Sequence, residues 1–294
     1  MWAVMMARYL EEGPFFCLGG FQNLVNAITS SLTDHGGELI FGTRVTKIHA
    51  ASSGVRGVSL ANGQEINAPV VISNINAMTT FQNLLEPGQL PSGYLQKISR
   101  LERSVSVLGL YLATNLDVHA LGVPKVTIIT PWDVENIFED ALRGNVSGLA
   151  VHIPTVCDPS LAPAGEHLVI LQAIIPPQGF DLSLKDQFAE KLLDGAERVL
   201  PDLRNHITFA DGSATDNPLQ FRLHRLGPMY GWAASPQQSG PRRLSPRTPI
   251  AGLFLTGHWT QPGHGIWTVV LSGINTARLV LGEDGSQSLW PFAL

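Results

Sequence analysis

The feature that most limits the folds open to this chain lies near its C-terminal end. There Leu253-Phe254-Leu255-Thr256 runs into Gly257-His258-Trp259-Thr260-Gln261-Pro262-Gly263-His264-Gly265 and then into a segment of helical period. A short apolar strand, a glycine-bearing loop and a helix form a unit whose backbone can come close to a ligand, because glycine holds nothing away from it. The helix, expected from near Thr268, would present unpaired N–H groups and a partial positive charge at its start. Such a terminus suits a flat or anionic group, although many loops of this kind are only turns. Within the helix Val269, Val270, Gly273, Ile274 and Ala277 are expected to face inward.

Upstream, Phe21, Leu24, Val25, Ile28 and Leu32 share one face at helical spacing, and His35-Gly36-Gly37 stops that helix. Simple helix packing accounts for Phe21, Leu24 and Ile28. Strand-like runs follow at 38–41 and 44–48, a hairpin turns at Ala61-Asn62-Gly63, where Asn-Gly tolerates positive φ, and a short buried strand spans Val70-Val71-Ile72. A region of different texture then begins. Strand-like runs at 105–112, 125–130, 149–153 and 167–175 alternate with proline-bearing loops, and one amphipathic helix carries Leu184, Phe188, Leu192, Ala196 and Val199 before Pro201 ends it. The stretch 235–249, dense in Pro, Gln, Ser and Arg, reads as an irregular connection.

Composition narrows the function classes. Charged residues make up 15% of the 294 residues, below the ~25% usual in soluble domains, and 44% are hydrophobic, which fits an apolar ligand or a covered surface. The net charge is −5 with scattered Lys and Arg, so no footprint for nucleic acid exists. Cys17 and Cys157 lack any paired spacing, which argues against a disulfide framework or a structural metal and makes a reducing, cytoplasmic setting the expectation. Met1-Trp2-Ala3-Val4-Met5-Met6 lacks the basic start and length of a signal peptide and reads as a helix whose apolar face packs on something upstream. No catalytic metal site is expected. Gly57-Val58-Ser59-Leu60-Ala61 misses the last glycine of a nucleophile elbow.

Four strings, in order, resemble one family: GGFQNLVNAITSSLTDHGGELIFGTRVTKI, VVISNIN, LGPMYGWAASPQQSGPRR and GLFLTGHWTQPGHGIWTVVLSGINTARLVL. They are similar to the phytoene desaturases and carotenoid isomerases, a branch of the amine oxidase-like flavoproteins. The resemblance implies an α/β fold, a partial Rossmann-like FAD-binding domain supplied by 1–74 and 251–294, with an inserted α+β, mixed-sheet substrate domain over 75–250. It implies FAD as cofactor and flavin hydride transfer at C–C bonds of a small apolar, polyene-like substrate. An amine oxidase acting on a C–N bond, and a non-catalytic fragment or binding module without FAD, are the alternatives.

Carried over residue by residue, the resemblance places the backbone of Val45 at the adenine end and Gly257 and His258 by the ribityl–pyrophosphate linkage. It places Gly265, Ile266, Trp267, Thr268 and Val269 along the isoalloxazine edge, where a helix start stabilises the electron-rich edge of a reduced flavin. His258 departs from an acidic residue in many relatives, and His264 from a small one. His264 is the catalytic candidate, a titratable ring beside the flavin, with a loop histidine bonded to a backbone carbonyl as the plainer reading. Tyr230, Trp232, Trp259 and Trp267 are candidates for the wall of an apolar site, with ordinary core as the alternative. No G-x-G-x-x-G occurs; Gly263-His264-Gly265-Ile266-Trp267-Thr268 comes nearest and lacks the third glycine. The chain alone is therefore expected to bind FAD poorly unless an N-terminal dinucleotide-binding segment is supplied in trans. Peripheral membrane contact is compatible with a lipophilic substrate, although no basic amphipathic helix announces it.

Overall fold

The computed structural model describes residues 15–124, 126–133, 136–211 and 228–282, with residues 11 and 13. The apolar start at 1–6 lies outside them, as do Leu226 and Gly227. Along the chain run α1 (Phe21–Asp34), β1 (Val45–Ala51), β2 (Gly54–Leu60), β3 (Glu65–Asn67), β4 (Val71–Ser73), α2 (Ala77–Asn83), α3 (Tyr94–Ser99), β5 (Ser106–Thr114) and β6 (Val126–Ile129). After these come α4 (Asn136–Leu142), β7 (Leu149–His152), β8 (His167–Ile175), α5 (Lys185–Ala196), β9 (Ile207–Asp211), β10 (Leu253–Leu255) and α6 (Ile266–Leu281).

Two compact units divide the described residues. One takes in 41–107, 175–180 and 228–282, the other 15–40, 108–174 and 181–211. These are units of packing, distinct from the cofactor and substrate roles attached to sequence segments above.

In the first unit, β1, β2 and β3 form an antiparallel meander. The anticipated Asn-Gly turn is made: Gly63 has φ +87° and the Asn62 side chain accepts from Gln64 N at 3.0 Å. The short strands β4 and β10, 180 residues apart in sequence, pair in parallel with Val71 beside Leu253, Ile72 beside Phe254 and Ser73 beside Leu255. Val55 N and Val71 N donate to Ala251 O and Gly252 O, each at 2.9 Å, tying both sheets to the same turn. α2 follows β4 directly because Asn76 caps it, accepting from Met78 N at 2.8 Å. Its Met78 and Phe81 join Ile48, Leu253, Leu255 and Ile98 of α3 in one apolar core.

The other unit holds a five-stranded sheet of order β6-β7-β8-β5-β9, antiparallel at β6/β7, β7/β8 and β5/β9. Alternation gives it two unlike faces. Leu149, Val151, Val169, Leu171 and Ala173 are buried on the face where α5 sets Phe188, Leu192 and Ala196. A methyl added at Gly195 would lie 3.0 Å from Leu149, so the absence of a side chain there permits the close fit of α5 on β7. On the opposite face Val126, Ile128, Tyr111, Ile174 and Phe209 are exposed.

Two local expectations are corrected. The stretch 38–41 forms no strand, because no neighbouring strand among the described residues receives its backbone bonds, and Ile40 and Phe41 are exposed. The stripe of α1 is not packed either: Phe21, Leu24 and Ile28 are exposed, and no described residue of this helix is buried.

Candidate functional site

The parallel pair β4/β10 ends at one point, and the glycine-bearing loop leaves from it. Thr256 N donates to Ser73 O at 2.9 Å, and Gly257 follows with φ +81°. A methyl group there would stand 2.0 Å from Asn74 Oδ1. Two strand ends can meet this closely only with glycine in that place.

The loop is held from below by α6. Ser272 Oγ accepts from Gly257 N at 3.0 Å and donates to Gln261 O at 2.9 Å. Thr276 Oγ1 donates to Leu255 O at 3.2 Å. These two hydroxyl residues are the buried side of the helix, which corrects the inward face expected from apolarity. Val270, Gly273, Ile274 and Ala277 are exposed, while Val269 is half-buried. The helix has apolar residues on more than one side, and hydrogen bonds to a polar loop decided which side turned in.

Held from above, the loop hangs on Arg243. This residue is 3% exposed. Its Nε donates to Thr260 O at 3.0 Å, and one terminal nitrogen donates to Trp232 O at 3.0 Å, Tyr230 O at 3.2 Å and His258 O at 2.5 Å. Among the described residues no carboxylate is one of its bonding partners. Burial pushes its pKa down to about 10, which leaves it charged at neutral pH.

The helix opens at Gly265, φ +97°, with no side-chain cap and no acidic residue in its first turn. Thr268 turns its hydroxyl back to Gly265 O at 2.8 Å and to His264 O, so it does not shield the helix start from outside. Ile266 is exposed and Trp267 is 61% exposed. The result is an open helix N-terminus carrying backbone donors, the geometry that stabilises negative charge.

His264 sits half-buried beside this terminus. Its ring lies 4.6 Å from the Tyr230 ring, tilted by 35°. Burial, and secondarily the Arg243 charge, hold its pKa below the ordinary histidine range. The ring is thus neutral at pH 7. Histidine 258 gives its carbonyl to Arg243 and sets its ring 5.6 Å from that of Trp259.

Gly257, His258, Gly265, Ile266, Trp267, Thr268, Val269 and His264 are brought together by the loop and first helical turn. Val45 stands apart from them at the start of β1, opposite Leu60, and its side chain packs on the core shared with Leu253, Leu255 and Trp259. Of the four candidate wall aromatics, Trp232 and Trp259 are core: each is 1% exposed, and they meet edge to face at 4.9 Å. Tyr230 and Trp267 stay at the surface of the loop region. Sequence reading missed Asn74, Ser272 and Arg243. Arg243 was visible only as one of two arginines in a proline- and serine-rich connection, and nothing in that pattern tells a buried cation from a solvated one.

The geometry fits a flavin ring edge. Glycines at 257, 263 and 265 leave the loop without a side chain at those three points, and the helix start is uncapped with no acidic residue in its first turn. Comparison with known proteins agrees. The family model described as flavin containing amine oxidoreductase matches residues 1–281. The chain belongs to this family. The chain is 27% identical over 300 residues to a phytoene desaturase (neurosporene-forming) of Rhodobacter capsulatus, covering 94% of this chain and 56% of that protein. It is 31% identical to a phytoene desaturase (lycopene-forming) of Pseudescherichia vulneris, covering 97% and 59%. It is 27% identical to prolycopene isomerase 2 of an Oncidium hybrid, covering 95% and 48%. Among solved structures, an oxidoreductase from Methanosarcina mazei superposes with a TM-score of 0.65 at 20% identity, over 89% of this chain and 55% of that one.

The chain therefore spans about half the length of the curated relatives it matches. The family resemblance, the α/β flavoprotein fold and FAD as the family's cofactor stand as the sequence implied. Among the described residues no helix is long and apolar enough to cross a membrane, and no group of three or more His, Cys, Asp or Glu could hold a metal ion.

Proposed function

We propose that this chain supplies the flavin-edge half and the substrate platform of an FAD-dependent oxidoreductase that acts on C–C bonds of an apolar, polyene-like substrate. The observation that carries the proposal is the uncapped N-terminus of α6, with no acidic residue in its first turn, reached from the end of the β4/β10 pair through a loop with glycines at 257, 263 and 265. FAD, when bound, accepts or returns a hydride. The chain's own part is to lay backbone donors against the edge of the ring where negative charge grows on reduction. His264, its ring tilted against that of Tyr230 and its pKa held low by burial, is assigned to bind or accept a proton at an imidazole nitrogen beside that edge. Val45 is assigned to the adenine end through its backbone, and Gly257 and His258 to the ribityl side.

A sheet face rich in exposed apolar side chains supports the substrate class. Val126, Ile128, Ile174, Tyr111 and Phe209 offer hydrocarbon contact with few charges among them. In this reading 1–74 and 251–294 serve the cofactor and 75–250 the substrate. An N-terminal segment bearing a G-x-G-x-x-G turn completes pyrophosphate binding, either in a longer chain or in trans. The protein works in the cytoplasm, touching a membrane surface to collect its substrate.

Flavin absorbance tests this. Purified protein mixed with FAD and a G-x-G-x-x-G segment from a relative should retain about one flavin per chain through gel filtration. Anaerobic addition of an apolar polyene to that complex should change the flavin's redox spectrum. Uptake of flavin with no response to any polyene, but bleaching by a primary amine, would replace the C–C reading with the amine oxidase one.

A further inference from the structure

A buried arginine with no acid beside it is costly. Desolvating a lone cation is unfavourable unless something compensates, and among the described residues the compensation for Arg243 consists of carbonyl dipoles. The four carbonyls come from Tyr230, Trp232, His258 and Thr260, and together they span both segments that frame the flavin loop. The backbone oxygen of Arg243 also accepts from Gln261 Nε2 at 2.9 Å. A methyl at Gly263 would stand 3.8 Å from the Arg243 Nε, so the guanidinium lies directly behind the residue before His264. Lysine offers one compact ammonium in place of the planar fork and cannot reach the same carbonyls together.

We propose that Arg243 is a positioning residue of the flavin site: it clamps the 257–265 loop and sets behind it a permanent positive charge that favours the reduced, electron-rich flavin. This rests in part on the flavin reading above. The charge adds to the partial charge of the α6 terminus, whose first turn holds no acidic residue, and both act from fixed positions. The Tyr230 ring lies against the His264 ring, and Arg243 is the charged group that acts on it.

Two variants separate clamp from charge. Arg243→Lys keeps the charge and loses the fork; Arg243→Met loses both. The first measurement is the titration of His264 in the full chain without FAD, read by NMR and assigned with His264→Gln. Arg243→Met should raise the midpoint relative to wild type, while Arg243→Lys should leave it near wild type but melt at lower temperature. The second measurement, with a G-x-G-x-x-G segment added, is the ratio of dissociation constants for oxidised and reduced FAD. Arg243→Met should lose at least tenfold of the preference for reduced FAD, about 30 mV for a two-electron couple, and Arg243→Lys should retain it. The idea is overturned if Arg243→Met is folded with both quantities unchanged. Should Arg243→Met fail to fold, Arg243→Lys decides: a His264 midpoint or an FAD ratio shifted as far as in a charge-free site overturns it. The first measurement involves no flavin, so a moved midpoint with no FAD binding leaves the charge assignment standing and removes only the flavin reading.

Discussion

At the level of single residues, the site depends on what is missing from Gly257 as much as on what is present elsewhere. Alanine there would hold φ at +81° and press its methyl group on Asn74 Oδ1 at 2.0 Å. Strain and overpacking of that kind cost about 2 kcal/mol or more. Gly257→Ala should therefore melt lower by roughly 5 °C, as seen by calorimetry, and should weaken FAD binding; a variant with wild-type melting would remove the close approach from the account. His264 gives a second expectation. Its folded pKa lies below its unfolded value, first through burial and then through Arg243, so it contributes stability above the unfolded value near pH 6.5 that is lost as pH falls through the folded one. His152 and His167 are lowered as well, chiefly by burial. Denaturant midpoints should thus decline between pH 7 and 5, and His264→Gln should flatten that decline in part. An unchanged slope would place His264 in water.

The element that most changed between sequence and structure is α6. Its end at Leu281 was legible from period, its start lies at Ile266 where it was expected near Thr268, and its position after β10 followed from the strand–loop–helix pattern. Its inward face was not legible. Apolarity pointed to Val270, Gly273, Ile274 and Ala277, yet Ser272 and Thr276 are the buried pair because the loop they brace has backbone groups that need partners. Ser272→Ala should leave Gly257 N without its acceptor and cost about 1–3 kcal/mol, measured as a lower denaturation midpoint; Ser272→Thr should recover part of it. A loss no larger than that of an exposed substitution such as Ser30→Ala would show that the hydroxyl is dispensable. The 38–41 run failed for the opposite reason. Its residues suit a strand, but a strand exists only with a neighbour to bond, and propensity cannot supply one. The Asn62-Gly63 hairpin was legible because that turn is decided within four residues.

On the scale of the whole molecule, the decisive contact joins stretches far apart in sequence. β4 and β10 are paired, Val55 and Val71 bond to the turn before β10, and Asn74 touches Gly257. Motif resemblance could suggest that meeting; only backbone pairing shows it. The apolar sheet face is a second large-scale feature. Ile128→Lys and Phe209→Lys should weaken binding of a polyene probe at least tenfold without lowering the melting temperature, because both side chains are exposed; equal affinity would remove that face from the substrate site. The central claim is that the 257–265 loop and the start of α6 receive the redox edge of FAD. Hydrogen exchange of the full chain, alone and with FAD plus a G-x-G-x-x-G segment, tests it most directly. Exchange in the peptide spanning Gly257 to Val269 should slow on FAD uptake, and FAD bound at full occupancy with exchange in that peptide unchanged would place the redox edge elsewhere.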